Sequence, residues 1–146
     1  MSLVYWDSML FVYLLERNPR FLPIIETIHN EMTHRGDTLC TSIFTVGELL
    51  VVPRRFGSQS GADRVLNFFA GGTIRMLSFD LETANQFALV RAWTGASPPD
   101  AIHLASAAQA QVGLFLTNDR KLQTLKIPGI AQIAGLDPNV LNAIRP

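Results

Sequence analysis

An α/β architecture, with a mainly parallel central sheet of about five short strands between two helical layers, is predicted by three features of the sequence. Short apolar runs alternate with helix-patterned segments along the chain. The runs are continuous rather than alternating, as in Leu3–Trp6 and Leu114–Leu116, which suits strands buried on both faces. The length, 146 residues, is that of one domain with one proper core, and no shift in composition marks a linker.

Leu3 to Trp6 is β-prone and apolar, and opens the sheet. Ser8 is placed to cap a helix from Met9 to Glu16, which Asn18-Pro19 breaks. Phe21 to Arg35 carries Ile24, Ile25, Ile28 and Met32 at helical spacing and stops at Gly36. Thr38 to Ser42 is a second strand; Ser42 can help cap the helix Phe44 to Arg55, with a bend expected before Pro53. A Gly/Ser loop over 57–61 leads to a helix from Ala62 to Phe69, ended by Gly71-Gly72. Ile74 to Leu77 is the third strand, followed by a helix from Asp80 to Trp93. Pro99-Asp100 opens an alanine-rich helix reaching Gln111. Leu114 to Thr117 is the fourth strand, Asn118 to Leu125 a turn and short helix, Ile130 to Ile133 the last strand. The last ten or so residues of this single domain, spanning 1–146, read as a tail.

The chain is 48% hydrophobic and 16% charged, against roughly 25% charged in an average soluble domain. That balance excludes intrinsic disorder, and no apolar stretch is long enough to span a membrane. The first residues have no basic region of the secretory kind. The single cysteine, Cys40, reads as a buried strand residue and can form neither an internal disulfide nor a cysteine metal site. A reduced, cytoplasmic location is expected. Twelve basic residues balance twelve acidic ones, which argues against coating nucleic acid by bulk charge but leaves room for a local basic rim. The apolar excess favours self-association or a partner.

Four carboxylates stand out by isolation. Asp7 is the only charged residue between Ser2 and Leu15, Glu48 the only one between Thr38 and Pro53. Asp100 is alone between Ala92 and Asn118 apart from His103, and Asp119 follows the fourth strand. An acid near a core needs compensation, and for Asp7, Glu48 and Asp100 the local sequence supplies none beyond helix N-termini. Distant residues or a bound cation must supply it. Asp7 and Asp119 are predicted at the C-terminal ends of parallel strands, the edge where open α/β sheets bind ligands. If the first and fourth strands are neighbours, the acids converge, and a hard divalent ion would relieve their repulsion. Each acid also has an ordinary use: Asp7 and Asp100 in a first helical turn, Glu48 on an exposed helix face, Asp119 in a turn.

Three stretches, VYWDSMLFVYLLE, TSIFTVGELL and SPPDAIHLASAAQAQVGLFLTNDRKL, together resemble the PIN-domain ribonucleases, and more narrowly the VapC-type toxins of toxin–antitoxin pairs. The resemblance implies a PIN-like three-layer sandwich and an endoribonuclease dependent on Mg²⁺ or Mn²⁺. It implies that Asp7, Asp100 and Asp119 are metal ligands, some through water, and that Glu48 is a ligand or orients the attacking water. Ser8 and Thr117 would steady the carboxylates or the water around the ion, and Asn118 would touch the site or shape the turn. An RNA substrate, a homodimer and an antitoxin whose segment blocks the acidic site are implied as partners. Met9 stands where many relatives carry a polar residue, and Gln123 where some carry a further acid, so four carboxylates rather than five favour one firmly held ion.

Two basic clusters could form the rim that holds phosphates: Arg54-Arg55 with Arg64, and Arg120-Lys121 with Lys126. Solvated helix ends are the plainer reading of both. His103, one turn after Asp100, reads as a packing residue, because metal–carboxylate hydrolysis needs no imidazole. A phosphorylated receiver is disfavoured, since Asp7 lacks an adjacent acid and Leu77 is followed by Ser78. A catalytically silent PIN-fold protein that binds RNA or a partner is the alternative function.

Overall fold

The computed structural model describes residues 1–144. Five strands, β1 (Leu3–Trp6), β2 (Thr38–Ser42), β3 (Arg75–Leu77), β4 (Leu114–Leu116) and β5 (Ile133–Ala134), form one sheet in the order β3-β2-β1-β4-β5. Every pairing is parallel, and β1 is the central strand. The helices are α1 (Ser8–Leu15), α2 (Leu22–Arg35), α3 (Ile43–Arg55), α4 (Gln59–Ala70), α5 (Leu81–Thr94), α6 (Pro98–Gln109) and α7 (Arg120–Gln123). A 3₁₀ turn covers Val140–Ala143.

The pleat explains the continuous apolar strands. Val4, Trp6, Leu39, Leu114 and Leu116 point to one face, where Leu10 and Phe11 of α1, Ile25, Ile28 and Met32 of α2, and Val65 and Phe69 of α4 cover them. Tyr5, Cys40 and Phe115 point to the other face, against Ala101, Leu104, Ala107 and Ala108 of α6 and Val90 of α5. Small side chains let α6 lie close on the sheet. Burial pushes the Cys40 thiol up to about 12, so it is an inert core group.

Several boundaries differ from the sequence expectation, each for a local reason. Asp7, not Ser8, caps α1: its extended backbone continues β1, and its side chain accepts from the Ser8 N–H. The loop expected over 57–61 turns helical from Gln59, because Ser58 caps α4 through the Gly61 N–H. Helix α3 runs through Pro53 to Arg55, with Ser42 as its cap. The last strand sits at Ile133–Ala134, where pairing with Phe115 and Leu116 is available; Ile130 goes instead to the core. The expected tail is not loose up to Ile144. Val140 and Leu141 are buried beside α2, and Arg35 donates to the Leu141 carbonyl at 2.5 Å and the Ile144 carbonyl at 3.2 Å. The last two tail residues lie outside the described ones.

Gly129 turns the chain toward β5 with φ +99°, and a Cβ there would stand 2.6 Å from the Ala108 carbonyl oxygen. Gly129→Ala is therefore expected to cost about 3 kcal/mol, from backbone strain plus overpacking. The urea midpoint would fall accordingly; an unchanged midpoint would mean that this approach relaxes freely.

Candidate active site

The carboxyl edge of the sheet is built by β1 and β4. The Asp7 N–H donates to the Leu116 carbonyl at 3.0 Å, which carries the ladder one residue past β1 and sets Asp7 beside Thr117. Asp7 is buried, and both its oxygens are held: Oδ1 by the Ser8 N–H at 2.8 Å, Oδ2 by the Thr117 hydroxyl at 2.8 Å. Thr117 also accepts from the Asp119 N–H at 3.1 Å, and Asp119 caps α7 through the Lys121 N–H at 2.8 Å. One buried hydroxyl thus ties the two strand-end acids together.

Thr117→Val keeps the shape and removes both contacts. It is expected to cost about 1–3 kcal/mol, since a buried carboxylate oxygen and a backbone N–H each lose a partner. Urea denaturation reads this directly, and a variant as stable as the parent would contradict the linkage.

Asp100 lies in the first turn of α6, after the capping Ser97. Glu48 projects from α3. All four acids line one open cleft together with Ser8, Thr117, Asn118 and His103. Asp119 and Asn118 are exposed, while Asp100 and Glu48 are partly buried. Asn118 donates to the Tyr13 hydroxyl at 3.1 Å, bracing the rim. Ser8 holds Asp7 through its backbone rather than its hydroxyl.

Burial raises the Asp7 carboxyl above its ordinary range. His103, Thr117 and the Ser8 N–H work against that rise, and the nearby Asp100 charge adds to it. Asp7 and Asp100 lie near enough to feel one another. Among the described residues, however, no three Asp, Glu, His or Cys side chains form a group that could hold an ion by themselves.

His103 packs as the sequence predicts, and it also touches the acids. It is 2% exposed and does pack edge-on against Tyr5 and Phe44. Its ring also reaches the acids: Nε2 lies 2.5 Å from Glu48 Oε1 and 3.8 Å from Asp7 Oδ1. On the other side, Nδ1 meets the Tyr5 hydroxyl at 2.6 Å. The available signal was the i, i+3 spacing from Asp100, which puts both on one helix face.

The basic residues stand apart from the acids. Among the described residues, no Arg or Lys lines the acid cleft itself. Arg120 lines a neighbouring depression that shares Asn118, and Lys126 a separate one. Arg64 lines an apolar groove that shares Glu48, and Arg54 turns to Gln59. Arg55 and Lys121 are exposed on α3 and α7.

The PIN domain family model matches residues 4–127, which takes in all four acids. The chain belongs to the PIN domain family. Solved structures share the PIN fold. VapBC2 of Rickettsia felis, bound to a DNA fragment from its promoter, superposes with a TM-score of 0.71 at 14% identity, covering 92% of this chain and 99% of that one. VapBC-5 of Mycobacterium tuberculosis, from the VapBC family of toxin–antitoxin systems, gives 0.60 at 18% identity over 92% and 99%. A toxin–antitoxin complex from Klebsiella pneumoniae gives 0.59 at 17% identity over 87% and 94%. No curated protein matches the chain in sequence.

Proposed function

We propose that this PIN-domain protein is a Mg²⁺- or Mn²⁺-dependent endoribonuclease and the toxin of a toxin–antitoxin pair. The observation that carries the reading is that Asp7, Glu48, Asp100 and Asp119, separated along the chain, line one cleft at the carboxyl edge of a parallel sheet. Its donors are hard oxygens, and Asp7 carries a burial cost that Asp100 increases. A divalent cation would relieve that cost. Mg²⁺ keeps several waters and needs only one or two carboxylates directly, so the spread of these acids suits an ion held largely through water. Asp7 and Asp100 would hold it, with Asp119 and Glu48 reaching it or its waters.

When bound, such an ion supplies a Lewis acid for the phosphodiester and a source of hydroxide at neutral pH. The chain's residues do the rest. Thr117 and the Ser8 N–H keep Asp7 in one rotamer. Glu48, which lines the same cleft, would orient a water toward phosphorus or accept its proton. Arg120, in the neighbouring depression, and the exposed Lys121 would hold phosphates farther along the RNA.

The antitoxin part rests on a second surface. Val12, Leu15, Leu49, Val52, Phe56 and Val65 line an apolar groove between α1, α3 and α4 that runs to Glu48. Phe56 is 79% exposed there. An apolar segment lying in it would end at the acids and block them. A homodimer and a cytoplasmic location belong to the same reading; among the described residues, no helix is long and apolar enough to cross a membrane.

The test is cleavage of a mixed RNA pool by purified protein with Mg²⁺ or Mn²⁺, against EDTA. Metal-dependent products with 5′-phosphates are expected. Metal binding without cleavage of any RNA class would favour the silent binding protein instead.

A further inference from the structure

We propose that His103 is a positioning residue, which sets Glu48 in the acid cleft through a chain of hydrogen bonds anchored on Tyr5. This rests on the metal-dependent reading above for its effect on the ion, but the hydrogen-bond chain stands on geometry alone.

The chain begins at the backbone. The Ser42 N–H donates to the Tyr5 hydroxyl at 3.1 Å, and Ser42 is the residue that caps the helix bearing Glu48. Tyr5 cannot swing, because its ring is fully buried and stacks on Phe115 with centroids 4.9 Å apart. Its hydroxyl meets His103 Nδ1 at 2.6 Å. The imidazole then presents Nε2 to Glu48 Oε1 at 2.5 Å. A carboxylate is an acceptor only, so Nε2 carries the proton. In a neutral ring Nδ1 is then an acceptor, and the Tyr5 hydroxyl donates to it. A phenol hydroxyl has one proton to donate, and it already accepts from the Ser42 N–H, so that proton is available for Nδ1.

Three consequences follow for the cleft. Glu48 has side-chain freedom on a partly exposed helix face, and the imidazole removes it. One oxygen, Oε1, is engaged by the ring, which leaves Oε2 as the atom that would face an ion or its waters. The same Nε2 lies 3.8 Å from Asp7 Oδ1, too far for a hydrogen bond but near enough for the ring edge to border both acids. Groups that orient a metal ligand typically change metal affinity or activity by about 10–100-fold.

The experiment uses the intact chain and Mn²⁺ alone, with affinity read by calorimetry for the parent, His103→Leu, His103→Gln and Tyr5→Phe. His103→Leu is expected to weaken Mn²⁺ binding by about 10–100-fold. His103→Gln should recover most of it, because a glutamine amide N–H can reach the place of Nε2. Tyr5→Phe should weaken binding in the parent and add nothing in His103→Leu, since it acts through the ring. Equal affinity in Leu and Gln variants, or losses that merely track their melting temperatures, would overturn the proposal.

A readout without metal separates it from the metal reading. The ring ¹⁵N resonances of His103 should show one tautomer protonated at Nε2, and Glu48→Ala should move the Nε2 resonance. A ring protonated only at Nδ1 would sink the positioning role even if Mn²⁺ binds. If the parent binds no Mn²⁺, the metal reading falls, and the ring spectrum still decides the positioning.

Discussion

Asp7→Asn is expected to abolish RNA cleavage while leaving a metal-free protein at least as stable as the parent at neutral pH. The loss should exceed the about 10–100-fold typical of a group that only orients a ligand. Stability moves the other way because burial raises the Asp7 carboxyl in the folded state. The sign follows from proton binding. Between the unfolded value, about 3.9 for an aspartate, and the raised folded one, the folded chain holds more protons than the unfolded chain. Stability from this group is therefore complete below the unfolded value and lost as pH rises through the folded one. Each unit between the two values is worth about 1.4 kcal/mol. Asparagine keeps the oxygen that accepts from the Ser8 N–H, caps a helix about as well as aspartate, and carries no charge to bury. In EDTA, the variant's melting temperature should gain on the parent's between pH 4 and pH 7. A gap that stays constant or reverses would show that Asp7 bears no burial cost, and an Asp7→Asn protein that still cleaves RNA would remove Asp7 from the chemistry.

Phe115→Ala is expected to be the most destabilising core truncation near the site, at about 3–5 kcal/mol. Phe115 is fully buried in the middle of β4, and its ring lies against Tyr5 with an interplanar angle of 5°. The cavity would open beneath the residue that anchors His103. For a chain of this size the melting temperature should fall by about 10 °C. Trp93→Ala makes the contrast: that ring is 56% exposed on α5, and its removal should leave the melting temperature nearly unchanged. Equal effects from both would mean that the Tyr5–Phe115 stack carries no special share of the core.

The sheet was legible because its strands are short apolar runs with both faces buried, as Val4, Tyr5 and Trp6 show. The acids were legible because Asp7, Glu48 and Asp100 each interrupt an apolar stretch, and a charge in such a place needs a reason. Adjacency of β1 and β4 then brings them to one cleft. The Asp7 cap was harder to read, because Asp7 and Ser8 are both good caps; the extended end of β1 decides between them. His103 was legible as a packing residue, but its contact with Glu48 was not. It shares its helix with Leu104, Ala105 and Ala107, all buried, so its surroundings look like core. Its partners, Glu48 and Tyr5, lie 55 and 98 residues away in sequence, and no local pattern carries such a contact. The seating of Val140 and Leu141 likewise depends on α2, not on any periodicity of their own.

The central position of β1 also governs when this molecule can come into being. β1 precedes the other strands of its sheet along the chain, yet its register with β4 joins residues as far apart as Val4 and Leu114. Asp7 meets its hydroxyl partner across 110 residues. Pairings this distant close large loops before any contact rewards them, which slows folding. A nascent chain therefore carries Asp7 and Glu48 long before it carries Thr117 and Asp119. Until that late strand docks, Asp7 lacks the hydroxyl that holds its Oδ2. The topology thus acts as a clock: the cleft cannot close before β4 docks beside β1.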